Sequence, residues 1–197
     1  MKKLGQHYTD GRHATRTGPD GNPAKAERRD CVVTYDIRGT EHRILEDPHL
    51  HVALYEPEIP ANTGNIARLC AAAEIRLHLI HPLGFRVDDK HLKRAGLDYW
   101  PEVDVRHHQD LEAFVAQMVG GAKLFAFSRH ALNPYTEAQV NRGGYLLFGP
   151  ETRGLSVRIR ERYPCYGIPI WGNVRSLNLS TSVGIVTYHY LHQMGLF

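Results

Sequence analysis

The chain reads as an α/β protein whose mostly parallel sheet carries helices on both faces, with an extension at its N-terminal end. Three observations predict this. From residue 50 onward, short apolar and β-branched runs alternate with segments of helical periodicity, the pattern of βα units whose strands are buried on both sides. Glycine and asparagine cluster just after several of those runs, at the carboxyl edge where open α/β sheets bind ligands. The first fifty residues lack the alternation: residues 1–29 hold seven Lys/Arg, three Asp/Glu, four Gly and two Pro, and almost no large apolar side chain. That is too little apolar surface to offset the entropy of ordering. We divide the chain accordingly into an extension, 1–49, expected to be flexible to about residue 30, and a domain, 50–197.

The elements follow in order. In CVVTYDIRGTEHRILE (31–46), apolar residues flank Arg38-Gly39-Thr40, a hairpin signal. HVALY (51–55) predicts a buried strand. Asn62 or Thr63 caps a helix to about Glu74, whose Ala, Leu and Ile recur at helical spacing. LHLIH (77–81) predicts the second strand, Asp88 caps a short helix ending at Gly96, and VDVRHH (103–108) predicts the third strand. LEAFVAQMV (111–119) is helical; KLFAFS (123–128) and YLLFG (145–149) are strands. A turn of helix near 156–162 precedes an apolar strand, YGIPI (166–170), and a final helix spans about 179–194.

Composition narrows the function classes. The 197 residues carry a net charge of +3, compatible with a nucleic-acid partner and equally with an ordinary soluble protein. Three cysteines, Cys31, Cys70 and Cys165, are odd in number and far apart, which predicts reduced thiols and a cytoplasmic setting rather than a disulfide frame. No apolar run approaches the roughly 18 residues of a membrane span, and no secretory leader is visible. G-x-G-x-x-G after the first strand, G-x-x-x-x-G-K-[ST] and G-x-S-x-G are all missing, which argues against dinucleotide, P-loop and serine-hydrolase sites. The thirteen histidines fall at no metal-ligand spacing, and His107 and His108, adjacent on a strand, face opposite sides. No metal is expected.

Three segments remain to be explained together: PEIPANTGNIARLCAAAEI (57–75), LLFGPETRGLS (146–156) and RSLNLS (175–180). Jointly they resemble the three signature motifs of the SPOUT class of RNA methyltransferases, in the branch that methylates ribose 2′-hydroxyls. With LKRAGLDYW (92–100) added, the likeness is greatest to the tRNA wobble-nucleotide (cytidine/uridine) 2′-O-methyltransferases, and it covers residues 51–195. The first fifty residues have no counterpart in it.

The resemblance implies a C-terminal trefoil knot, an exception to the rule of unknotted chains, whose loops hold S-adenosylmethionine. It implies a homodimer packed through the first and last helices; the small residues Ala71–Ala73 and Ser182–Gly184 suit either that interface or an internal contact. The substrate implied is the anticodon loop of tRNA, in the cytoplasm. Carried over residue by residue, the catalytic positions are Arg68, Asn62, Glu151, Ser176 and Asn178. Arg68 is assigned to deprotonation of the 2′-hydroxyl in such enzymes. A guanidinium is a poor base, so it either loses its proton in a dry site or holds a phosphate and stabilises the alkoxide. Asn62 either caps its helix or fixes Arg68 or the ribose. Glu151 organises the site or complements a helix dipole. The cofactor contacts implied are Phe127, Gly149, Ile168 and Ser176, mostly through backbone; Phe127 is an aromatic where aliphatic residues are usual. For RNA, Lys93, Arg94 and Arg153 supply cations, while Tyr99 and Trp100 either stack a base or, for Trp100, fill the core. Two other readings stay open: a 2′-O-methyltransferase for another RNA site, and an RNA-binding protein of this fold without turnover. A nucleotide-binding α/β protein unrelated to RNA is a third, weaker one.

Overall fold

The computed structural model describes residues 33–35, 41–85 and 100–197. The helix expected over 88–96, with Lys93 and Arg94, lies outside the described residues, as do Tyr99, the turn at 38–40 and residues 1–32.

Two short strands, β1 (Val33–Tyr35) and β2 (Glu41–Arg43), pair antiparallel with Tyr35 opposite Glu41. The domain then alternates β3 (Leu50–Tyr55), α1 (Pro60–Ala72), β4 (Arg76–Ile80), β5 (Val105–His108), α2 (Leu111–Ala116), β6 (Leu124–Phe127), β7 (Asn133–Pro134), β8 (Gly144–Phe148), α3 (Val157–Arg162), β9 (Cys165–Gly167) and α4 (Leu179–Gln193). The sheet runs β5-β4-β3-β8-β6-β9-β7, and every pairing in it is parallel. Strands buried on both sides explain why their sequences are continuous apolar runs. On one face Val52, Leu54, Leu79 and Phe148 pack against Ile66 and Cys70 of α1 and Val183, Val186 and Tyr190 of α4. On the other, Ala53, Ile80 and Leu147 meet Leu111 and Phe114 of α2 and Ile159 of α3.

Polar staples join the leading segment to the sheet. Buried His42 of β2 places Nδ1 3.1 Å from the carbonyls of Trp100 and Val103. Buried Asp104 accepts on Oδ2 from Arg76 Nε at 2.7 Å and from the Leu45 amide at 2.9 Å, and its Oδ1 is ion-paired with Arg106 Nε at 2.9 Å.

The structure departs from the sequence reading at several boundaries, and the helix expected over 111–119 stops at Ala116. The helix expected from Asn62 or Thr63 begins at Pro60, whose ring suits a first helical position. Neither side chain caps it, and the N-cap residue, Ile59, has none to offer. The strand expected to run to Ile170 stops at Gly167. Its outer partner β7 is two residues long, and Pro169 brings no N–H to a ladder. β7 itself was not foreseen; two residues leave no periodicity to read.

Candidate active site

A cleft of about 360 Å³ opens at the carboxyl ends of β6, β8 and β9, the edge of the sheet where α/β proteins bind ligands. All four positions expected to hold the cofactor line it: Phe127, Gly149, Ile168 and Ser176. Asn62, Glu151, Asn178 and Arg153 line it too. One wall is aromatic, with Phe127 stacked on Phe148 at 5.1 Å and 19°. Gly149 is required there: a Cβ would come within 2.5 Å of the Leu155 amide nitrogen and 2.7 Å of the Gly154 carbonyl carbon, so the loop after β8 folds back tightly on its own start.

Three segments far apart in sequence meet in one row of hydrogen bonds. The Glu151 carboxylate accepts from the amides of Glu58 (2.8 Å) and Ile59 (3.2 Å) and from Asn62 Nδ2 (3.0 Å). It thereby satisfies amides at the start of α1 that no local side chain reaches. Asn62 Oδ1 in turn accepts from Asn178 Nδ2 at 2.9 Å. Asn178 Oδ1 accepts from the Ser180 and Thr181 amides and from Ser180 Oγ, capping α4. Asn62 thus links Glu151 to Asn178 rather than capping its helix, and Glu151 caps α1 from another loop.

The exchange is mutual. Glu58 accepts from the Thr152 amide and hydroxyl, each at 2.9 Å. These bonds, with the Arg153 charge alongside, hold the Glu58 carboxyl below its ordinary pKa against the opposing effect of desolvation. Arg153 Nη2 is paired with Glu56, and Nη1 sits 3.8 Å from Glu58. Glu56 has φ 49°, a left-handed conformation uncommon outside glycine and frequent at functional sites.

Arg68 stands apart. It is on the exposed side of α1 and does not line the cleft. Six residues beyond Asn62, it lies about 9 Å further along the axis and roughly 120° around it. Trp100 is buried at 3 % exposure, its ring edge-on to His42, so it is core and not a stacking platform. The sequence reading passed over Arg129, which lines the cleft, and Trp171, which is 93 % exposed beside the lining residue Ile170. Only an aromatic in a polar loop marked the second, and nothing in the sequence marked the first.

Among the described residues no group of three or more His, Cys, Asp or Glu side chains could hold a metal ion, and no helix is long and apolar enough to cross a membrane.

The chain is similar to several known proteins. A tRNA (cytidine(34)-2′-O)-methyltransferase from Yersinia pestis is 45 % identical over 153 residues, covering 74 % of this chain and 94 % of the relative. The protein of the same description from Escherichia coli K12 is 45 % identical over 149 residues, with the same coverages. A solved structure described as giving insight into 2-OH methylation of C/U34 on tRNA superposes with a TM-score of 0.71 at 50 % identity, covering 74 % of this chain and 97 % of the other. An AdoMet-bound rRNA methyltransferase from Sinorhizobium meliloti shares the fold, with a TM-score of 0.67 at 23 % identity, covering 76 % of this chain and 58 % of that one. Residues 49–188 match the SpoU rRNA Methylase family, and to that family this chain belongs.

Proposed function

We propose that this chain is a tRNA 2′-O-methyltransferase, moving a methyl group from S-adenosylmethionine to the ribose of the wobble nucleotide, cytidine or uridine 34. The observation that carries the reading is the row Glu151–Asn62–Asn178 at the lip of the cleft, in a chain so similar to relatives described by that reaction.

The cleft suits the cofactor: its volume is in the range of small-molecule sites, and its wall of Phe127, Phe148 and Ile168 suits a neutral purine. Phe127, Gly149 and Ile168 would hold the nucleoside, and Ser176 the methionine part. When bound, S-adenosylmethionine supplies an electrophilic methyl group. The chain's own task is to place a weak nucleophile in line with it. Positioning of this kind can lower a barrier by roughly 7–11 kcal/mol. Asn178 has its amide fixed on both sides, and with Ser176 it presents short polar groups to the incoming ribose. Arg68, outside the cleft, holds an RNA phosphate as the strand enters; its exposed setting favours that role over proton abstraction. Arg153 exchanges its Glu56 partner for a phosphate, and Lys93 and Arg94 add cations.

The working unit in this reading is a cytoplasmic homodimer, and the C-terminal trefoil knot belongs to it. The knot is supported by α4, which follows β9, the strand next to edge strand β7, and returns to pack on α1.

The test is transfer of labelled methyl from S-adenosylmethionine to total tRNA from a strain lacking this protein, followed by mapping of the labelled nucleotide. Label on the ribose of nucleotide 34 is expected. Arg68→Ala should melt like the parent and transfer at least tenfold more slowly. Label on another RNA position would keep the chemistry and change the substrate. Bound cofactor with no transfer to any RNA would leave a binding protein without turnover.

A further inference from the structure

The chain has two tryptophans, and the fold treats them oppositely: Trp100 is 3 % exposed and Trp171 is 93 % exposed. An indole left in water forgoes the burial that large aromatics ordinarily gain. Trp171 lies within the loop that runs from β9 to Asn178. Residues 171–176 are all exposed, including Val174 at 62 %. Ile170 before it and Ser176 after it line the cleft, so the indole stands at the mouth without entering it.

Two cations accompany it. Arg129 lines the cleft, and its Nη1 donates to the Arg175 carbonyl at 3.4 Å while Nε donates to His130 Nε2 at 3.1 Å. Those bonds tether the β6 loop to the Trp171 loop. Neither Arg129 nor Arg175 has a carboxylate partner among the described residues, whereas Arg153, which also lines the cleft, is paired with Glu56. An apolar protein surface laid on Trp171 would leave both guanidiniums without counter-charge. An unpaired nucleotide supplies both needs, a π-face for the indole and phosphates for the arginines.

We propose that Trp171 is a positioning residue for RNA: it stacks on an unpaired nucleobase next to the nucleotide whose ribose enters the cleft, with Arg129 and Arg175 on the flanking phosphates. The assignment rests on the methyltransferase reading above and adds to it the side chain that sets the strand at the mouth.

The experiment uses the full chain and an anticodon stem–loop RNA. Trp171→Ala should raise KM for the RNA roughly tenfold or more, the range found when a stacking aromatic is removed, with kcat within about twofold and an unchanged melting temperature. Trp171→Phe should recover most of the loss, and Trp171→Leu should not. The emission difference between the parent and Trp171→Phe isolates Trp171 without touching buried Trp100. With S-adenosylhomocysteine present to stop turnover, that difference signal should be quenched by the stem–loop, and much less by the same bases closed in a duplex. A parent that methylates the RNA beside a Trp171→Ala variant of unchanged KM and an unquenched signal overturns the inference and leaves the proposed function standing. A signal shielded from acrylamide before RNA is added, and unshielded on dilution, also overturns it and assigns the face to a second copy of this chain. A parent that neither binds nor methylates any RNA defeats the proposed function itself, and this inference with it.

Discussion

Glu151 makes three hydrogen bonds, two to amides at the start of α1 and one to Asn62. A helix that starts Ile-Pro-Ala-Asn carries no capping side chain of its own, so a carboxylate from ninety residues away does the capping. Replacing it leaves those amides and Asn62 Nδ2 unpaired, and frees the asparagine to rotate away from Asn178. Glu151→Ala should therefore destabilise the fold by about 1–2 kcal/mol, the usual cost of a lost cap, and should slow methyl transfer by more than that destabilisation explains. Urea unfolding and steady-state transfer read the two effects separately; a variant with lowered stability and parental turnover would confine Glu151 to a structural role. Asn62 and Glu151 were each legible as candidates, but not as partners: Glu151 serves α1 and Asn178, by capping its own helix, serves α4.

Three strands together make a feature that none shows alone. His51 of β3, His78 of β4 and His108 of β5 are buried side by side, with Nδ1 of His51 2.9 Å from Nε2 of His78, and Nδ1 of His78 2.8 Å from Nε2 of His108. Tyr145 of β8 stacks on His51 at 3.9 Å. A neutral imidazole has one donor and one acceptor, so both bonds of the row pair a donor with an acceptor while all three rings are neutral, and two adjacent rings cannot both be charged and keep the bond between them; His108 Nδ1 at the end of the row is buried without a partner among the described residues. Burial first, then Arg76 for His51 and Arg106 for His108, lower their pKa values to about 3 and about 4, while burial first and the neighbouring His51 and His108 second hold His78 well below its ordinary value. In the unfolded chain each takes its proton near pH 6.5. Between that value and the folded ones the unfolded state binds more protons. Stability should be full above about pH 6.5 and fall as the pH drops toward 4, by on the order of 1 kcal/mol per pH unit for each histidine that unfolding protonates. Urea midpoints at about pH 7.5, 6 and 5 would show the decline, and His78→Gln should flatten it; a flat parental profile would refute the account. Strand alternation had placed His107 and His108 on opposite faces, as they are, since His107 meets His81 and His108 meets His78. The parallel register that lines up three strands is not written in any one of them.

For the molecule as a whole, the net charge of +3 is modest, and what matters is where the cations stand. Arg129, Arg153 and Arg175 lie on or beside the cleft loops. Contacts from about three cations to a single-stranded loop predict a slope of roughly −2 for log affinity against log salt. Arg175→Ala should reduce the magnitude of that slope by about 1, measured by fluorescence anisotropy of a labelled stem–loop between about 50 and 200 mM KCl. A slope unchanged by the substitution would remove Arg175 from the RNA contact.

The sequence by itself determined the alternation of strands and helices and three polar segments placed after strands; these are local, written in periodicity and in the residues that end it. The resemblance of those segments to known motifs also proposed Phe127, Gly149, Ile168 and Ser176 for the cofactor, and these four line one cleft. The tertiary structure decided what depends on distant closure: the Asn62–Glu151 and Asn62–Asn178 bonds span 89 and 116 residues. It also set Arg68 on the outside of α1, and chose which tryptophan is core and which faces water. Both indoles are equally apolar as residues, and burial is a property of what packs around them. No window of sequence contains that neighbourhood.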